Sequence, residues 1–345
     1  MMIQPQRYTS GRIALANLST SIDGLERERA AGGSFESLLT LAKLLFLRGD
    51  LVGSIADHDR GEAITSEAMD MPDADCARAL YVRAQIAGRF HCFAKAKVLL
   101  VHALVAGYSV QEIEGERAAL LQATGHYDEA LLVRERLAER NPRIDTLASL
   151  ATLLAEMDQC GRAETCYAAA LDADQGVSPI PCGQLLFEWG VSSMRRGDLD
   201  KAEAVFAALD AILPGHVPGR GHRAEVAFAR GKLDVAEQLV APLLEASDDP
   251  EYRALYAEIL TARGDGRSAR QAGLAAEEYE RLLARRPEAY ADHAAAFFIG
   301  IGNRPKRALE LASLNLKIRD TPRSRKLLAK ASAAEQATAA REYAV

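Results

Sequence analysis

The chain has 345 residues, of which 49% are hydrophobic and only 6% aromatic, and it carries a net charge of −6. A net negative chain has no general electrostatic pull toward phosphate backbones or anionic lipid, so no nucleic acid and no membrane insertion is expected. Five scattered cysteines without a C-x-x-C pair suit reduced thiols, and with no leader-like start and no long apolar run the expectation is a soluble, cytoplasmic protein rich in helix formers.

Residues 1–33 read as an N-terminal segment or cap. Within them Ser21 predicts the N-cap of a short helix from Ile22 to Ala31, which Gly32 and Gly33 end. From Ser34 onward turn residues recur 33 to 39 apart, at Gly49, Gly88, Gly125, Asp158, Gly197, Gly231, Gly264 and Gly302. A period of that size predicts about eight stacked helix hairpins, because one hairpin cannot bury its apolar face alone.

Fixed offsets from the turns explain how the hairpins pack. Seven residues before them stand Ala42, Tyr81, Ala118, Ala151, Gly190, Ala224, Ala257 and Ala295, small in every unit but one. Five after them stand Ala130, Ala163, Ala202, Ala236 and Ala269, with Ala94 and Ala308 one residue later. Two after them Leu51, Phe90, Tyr127, Cys160, Leu199 and Leu233 supply an apolar seal, so Cys160 is expected to be buried. The first unit departs from the pattern with Ser54 and a polar stretch that predicts a long or interrupted second helix. The unit turning at Gly264 extends its second helix to Pro287, and residues 323–345 give a closing helix and tail.

In the clearest unit, Gly183 to Pro214, the positions Leu186, Trp189, Gly190, Gly197, Ala202, Phe206 and Pro214 fall at the spacing of the tetratricopeptide repeat, which the chain resembles over roughly 34–322. Ala151, Ala163, Tyr167 and Ala170 repeat it in one further unit, and Ala118, Gly125, Ala130 and Pro142 in another. The resemblance implies an all-α fold of tandem helix-turn-helix repeats stacked into a right-handed superhelix, an α-solenoid whose first helices line a concave face. On that face it places Arg78, Gln85, Gln122, Thr152, Glu156, Gln184, Phe187, Met194, Arg195, Glu225, Phe228, Glu258 and Asp292, with Lys43, Glu112, Asp145 and Thr261 beside them. The later units carry more carboxylate than base, which points to a basic or amine-bearing peptide; the same residues also read as plain solvated helix faces. The family's carboxylate clamp of paired Lys, Arg and Asn does not recur.

No cofactor or metal is expected. His216, His222 and His293 show no zinc-type spacing and read as loop or surface residues, and no nucleophile-elbow, phosphate-loop or dinucleotide motif occurs. The basic run from Lys317 to Lys330 reads as a complement to a helix C-terminus or, alternatively, as a contact for an acidic protein or nucleic acid. The expectation is a non-catalytic interaction scaffold, a monomer binding a protein or peptide on the concave face. The alternatives are a regulatory sensor of a small molecule or signalling peptide, and an enzyme or metal-dependent accessory factor on the same scaffold.

Overall fold

The computed structural model describes residues 7–71 and 74–342, so the first six residues of the N-terminal segment and the last three of the tail lie outside the described residues. Every element among the described residues is a helix. Helix α1 (Gly11–Ala30) is much longer than the short helix expected from Ile22. Ser10 precedes it, no breaker interrupts it before Gly32, and Leu18 and Ile22, one turn apart, form its buried stripe.

Eight helix pairs follow. They are α2 (Phe35–Val52) with α3 (Ile55–Met69), α4 (Cys76–Arg89) with α5 (Phe93–Val105), α6 (Val110–Ala123) with α7 (Tyr127–Arg140), and α8 (Ile144–Glu156) with α9 (Cys160–Ala173). Next come α10 (Pro179–Arg195) with α11 (Leu199–Ile212), and α12 (Val217–Ala229) with α13 (Leu233–Val240) and its short continuation α14 (Leu243–Ala246). The last pairs are α15 (Pro250–Ala262) with α16 (Ser268–Arg285) and α17 (Pro287–Ile299) with α18 (Pro305–Ile318), and α19 (Pro322–Glu342) closes the array. The interruption after Val240 falls at Pro242, which has no N–H for the helical ladder. Helix α3 is a single uninterrupted helix with Ser54 as its N-cap, and α16 has the expected extra length.

Each hairpin reverses through a residue with positive φ. Gly125, Asp158, Gly197, Gly231 and Gly264 do so where the sequence placed them, but the others are Gly53, His91 and Asn303 in place of Gly49, Gly88 and Gly302. Gly49 and Gly88 lie inside helices, and Gly49 is there because His58 packs against it. Moving the second turn to His91 corrects two further assignments. Ala84 and Ala96 are the fully buried seam residues, whereas Tyr81 is half-buried and Ala94 is exposed. Ala269, the second residue of α16, is exposed as well, and that helix packs through Ala275 and Ala276 instead. Cys160, the first residue of α9, is half-buried, not buried.

Ala118, Ala151, Ala224, Ala257 and Ala295 on first helices, and Ala130, Ala163, Ala202, Ala236 and Ala308 on second helices, are all fully buried. In the fifth unit Gly190 takes the place of alanine, since a Cβ there would lie 2.5 Å from the Phe206 ring. Trp189 stacks on Tyr167 at 5.2 Å, and its indole N–H donates to Glu164 at 3.1 Å.

The array winds tightly enough to meet itself. The start of α1 rests on the loop opening α12, where Gly11 abuts the backbone of Ile212 and Leu213. The turn at Gly53 meets the loop opening α15, where Asp248 accepts from the N–H groups of Ile55 (2.7 Å) and Ala56 (2.9 Å). His91 meets the start of α17 through a 3.0 Å contact from Nδ1 to the Glu288 carbonyl. Gly125 abuts the carbonyl of Asp320, in the loop opening α19. Each of the first three turns therefore faces the loop that opens the sixth unit after its own, with α19 counted as the ninth.

Candidate functional site

Residues on the first helices join neighbouring units into a polar ladder along the inner face. Gln85 Nε2 donates to Glu116 at 3.4 Å, and Gln122 Nε2 to Glu156 at 3.0 Å. Glu156 in turn lies 3.9 Å from Arg195, and Gln184 donates to Glu188 at 2.9 Å. Farther along, His222 Nδ1 stands 2.9 Å from Glu225, and His293 Nδ1 stands 3.4 Å from Glu251.

The other expected residues are more heavily engaged. Arg78 is paired with Glu36 at the edge of the array. Thr152 shares its hydroxyl with Tyr167 at 3.2 Å, part of a buried network that reaches Ser192. Phe187 is stacked on His222 at 5.6 Å and tilted against His216 at 5.1 Å, while Met194 and Phe228 are half-buried against core residues. Asp292 is only 5% exposed and is ion-paired with Arg319. His216 is buried too: its Nδ1 accepts the Gly219 N–H at 2.9 Å, making it the N-cap of α12. His216, His222 and His293 thus have separate partners, and no group of three or more metal-binding side chains occurs among the described residues.

The ladder is enclosed, and its charges feel it. Desolvation pushes the Glu188 and Glu116 carboxyls above the usual range. Glu258 is raised by desolvation and then by Glu225, a like charge on the adjacent first helix. Arg195 is lowered by desolvation and by Arg323 of α19. At the far end Asp292 and Glu251 raise His293 to about 10, and Asp249 is pushed to about 6 by burial and by Glu251. Burial works against Glu251, yet His293 holds it down at about 2.

The basic run has an inward role that its composition did not reveal. Arg319 joins Asp292 and Asn315, and Arg323 faces Arg195, while Arg325 is held outside by Asp320. Glu251 stands thirteen residues before Gly264, as Gln184 does before Gly197, so the repeat spacing was enough to find it. Glu188 follows Gln184 by one helical turn. Arg319 and Arg323 have no such signal, because Arg319 follows the second helix of its pair and Arg323 reaches Arg195 across the winding of the array.

Residues 193–259 match the family described as Tetratricopeptide repeat. No curated protein matches the chain significantly. Among solved structures the chain is similar to the APC/C hetero-tetramer Cut9-Hcn1, with a TM-score of 0.50, 16% identity, and coverage of 93% of this chain and 58% of that one. It is also similar to a tetratricopeptide repeat protein from Parabacteroides merdae (TM-score 0.46, 18% identity, 82% of this chain and 98% of that one). A human IFIT1 dimer with PPP-AAAA gives 0.43 at 16% identity, covering 87% and 71%. The likeness to the Cut9-Hcn1 assembly is one of fold, and it agrees with the all-α solenoid described above. Among the described residues no helix is long and apolar enough to cross a membrane.

Proposed function

Because this chain is a tetratricopeptide-repeat solenoid, an architecture that serves protein–protein interaction, we propose that it is a non-catalytic, monomeric cytoplasmic scaffold holding a partner's segment on its inner face. The observation that carries the reading is the pair Glu225 and Glu258. These are half-buried carboxylates on adjacent first helices, Glu225 adds to the burial that raises Glu258, and no salt bridge to Lys or Arg is formed by either among the described residues. A lysine or arginine from outside relieves both, so the partner segment is basic. The Phe187 ring, which a small-molecule sensor would need free, is already stacked between histidines.

Affinity capture from the native cell, repeated with Glu225→Lys and Glu258→Lys together, tests this. Loss of one protein from the captured set while the variant keeps its helical circular dichroism is the expected result. An identical set from both proteins removes the acidic face from the proposal.

A further inference from the structure

The hydrophobic core is not continuous along the array. One cluster unites the first units with the middle ones, joining Ile22, Leu39 and Leu45 to Leu186, Phe206 and Leu213. A separate cluster belongs to α16–α19, with Tyr279, Phe298, Leu311 and Ala331 at its centre. Helix α15 lies between them. It gives the α16–α19 cluster Ala254 and meets α16 at the buried Ala257, whereas Tyr252, Leu255 and Ile259 pack with α12–α14.

The seam between α16–α19 and the early units is also unlike the rest of the winding. At Gly53 the seam is backed by Val217 and Tyr252, both members of a buried cluster. At the α16–α19 seam the contacts are charged or polar. Arg285 lies 2.8 Å from Asp59, and Arg286 pairs with both Asp59 and Glu62 while its guanidinium sits 3.7 Å from the centre of the Phe90 ring. His91 and Gly125 meet backbone carbonyls there, and the apolar additions are only Ala289 and Ile318, each partly buried. A unit with its own core, joined to a larger body by one helix face and a mainly ionic seam, opens at a lower free energy than the body unfolds.

We propose that α16–α19 form an arm that pivots on α15 and closes the inner face, with Arg286 as its latch. Closing brings Arg323 over the ladder toward Arg195, while Arg319 and Asp292 stay paired within the arm. Parting the seam uncovers the same ladder from the side. Admission of a partner through that opening rests on the proposed binding face; the opening itself is a property of the free protein.

The test is made on the whole unliganded chain by hydrogen exchange and small-angle scattering. Raising NaCl from about 0.1 M to about 1 M, which shortens the screening length from ~10 to ~3 Å, is expected to enlarge the radius of gyration. It should also speed exchange at Phe90–Cys92 and Arg319–Thr321, while Leu185–Val191 in the main core stays protected. Arg286→Ala at low salt is expected to do the same, with exchange at the seam about tenfold faster or more, and Arg286→Lys, which keeps the charge but loses the fork and the stacked plane, to fall between. Seam exchange and size unchanged both by salt and in Arg286→Ala, with helical content intact, would overturn the arm. If Arg286→Ala does not fold, the salt series on the natural chain decides alone. Because no partner is added, failure here leaves the Glu225 and Glu258 capture experiment standing, and the converse also holds.

Discussion

His216 shows how one side chain ties the array to pH. It is 4% exposed, and its ring nitrogen caps α12 only while unprotonated, because a protonated Nδ1 is a donor and repels the Gly219 N–H. Burial accordingly lowers its pKa from 6.5 to about 4. A depressed folded-state value means that the unfolded chain takes up the proton first, so the contribution is present above 6.5 and is lost as pH falls toward 4. His216→Asn keeps a capping acceptor and removes the titration. In urea unfolding, the loss of stability between pH 6.5 and 4 is expected to be smaller in this variant than in the natural chain; equal slopes would show that the cap does not titrate. His293 acts in the opposite sense. Its raised pKa gives a contribution that is full below 6.5 and declines as pH climbs toward 10.

Paired helices are fitted at the seam, and Gly190 sets the tightest fit in the fifth unit. Replacing glycine by alanine in a helix is ordinarily favourable by ~1 kcal/mol. At position 190 the new Cβ would sit 2.5 Å from the ring of Phe206, which is 1% exposed and has no room to retreat. Overpacking of about 1–3 kcal/mol therefore outweighs the helical gain, and Gly190→Ala is expected to lower the unfolding midpoint. Gly161→Ala, where the added carbon meets nothing within 4 Å, is expected to raise it. The reverse order in chemical denaturation would refute this account of the seam. The same distinction explains what could be read from the sequence. A glycine that supplies a positive φ and a glycine that makes room for a neighbour look alike, so Gly49 stood in for Gly53, and Gly88 for a left-handed histidine that composition does not advertise. At Gly125, Gly197 and Gly231, where the turn glycine is the left-handed one, the small residues on both sides fell into place, whereas at Gly264 only Ala257 did. Ladder pairs such as Gln122 with Glu156 follow from the same local offsets. The seam between Arg286 and Asp59 does not, because it depends on small rotations summed over many units.

The whole molecule needs α19 for more than length. Ala331 is fully buried in the core of the last units, Leu327 and Leu328 pack against that core, and Ser324 satisfies the buried amide of Asn315 at 3.1 Å. Ending the chain after Asp320 uncovers Leu311 and Ala312 and orphans that amide, and a terminal unit that loses its cap frays inward. Hydrogen exchange on the truncated chain is expected to show α17 and α18 unprotected, with the core from Leu185 to Leu213 nearly unchanged. Equal protection of α17 and α18 in both proteins would show that α19 is dispensable.

An ordinary solenoid gains or loses repeats freely, since each unit touches only its neighbours. Here the turn at Gly53 is matched to Asp248, His91 to Glu288 and Gly125 to Asp320, so the early units are keyed to particular later ones. Duplicating or deleting one hairpin between α5 and α15 would set Asp248 and Arg286 a full unit away from the partners they now hold. Addition or loss of a hairpin between the first turn and the arm therefore breaks these matched contacts, whereas a hairpin added beyond either end leaves them in place.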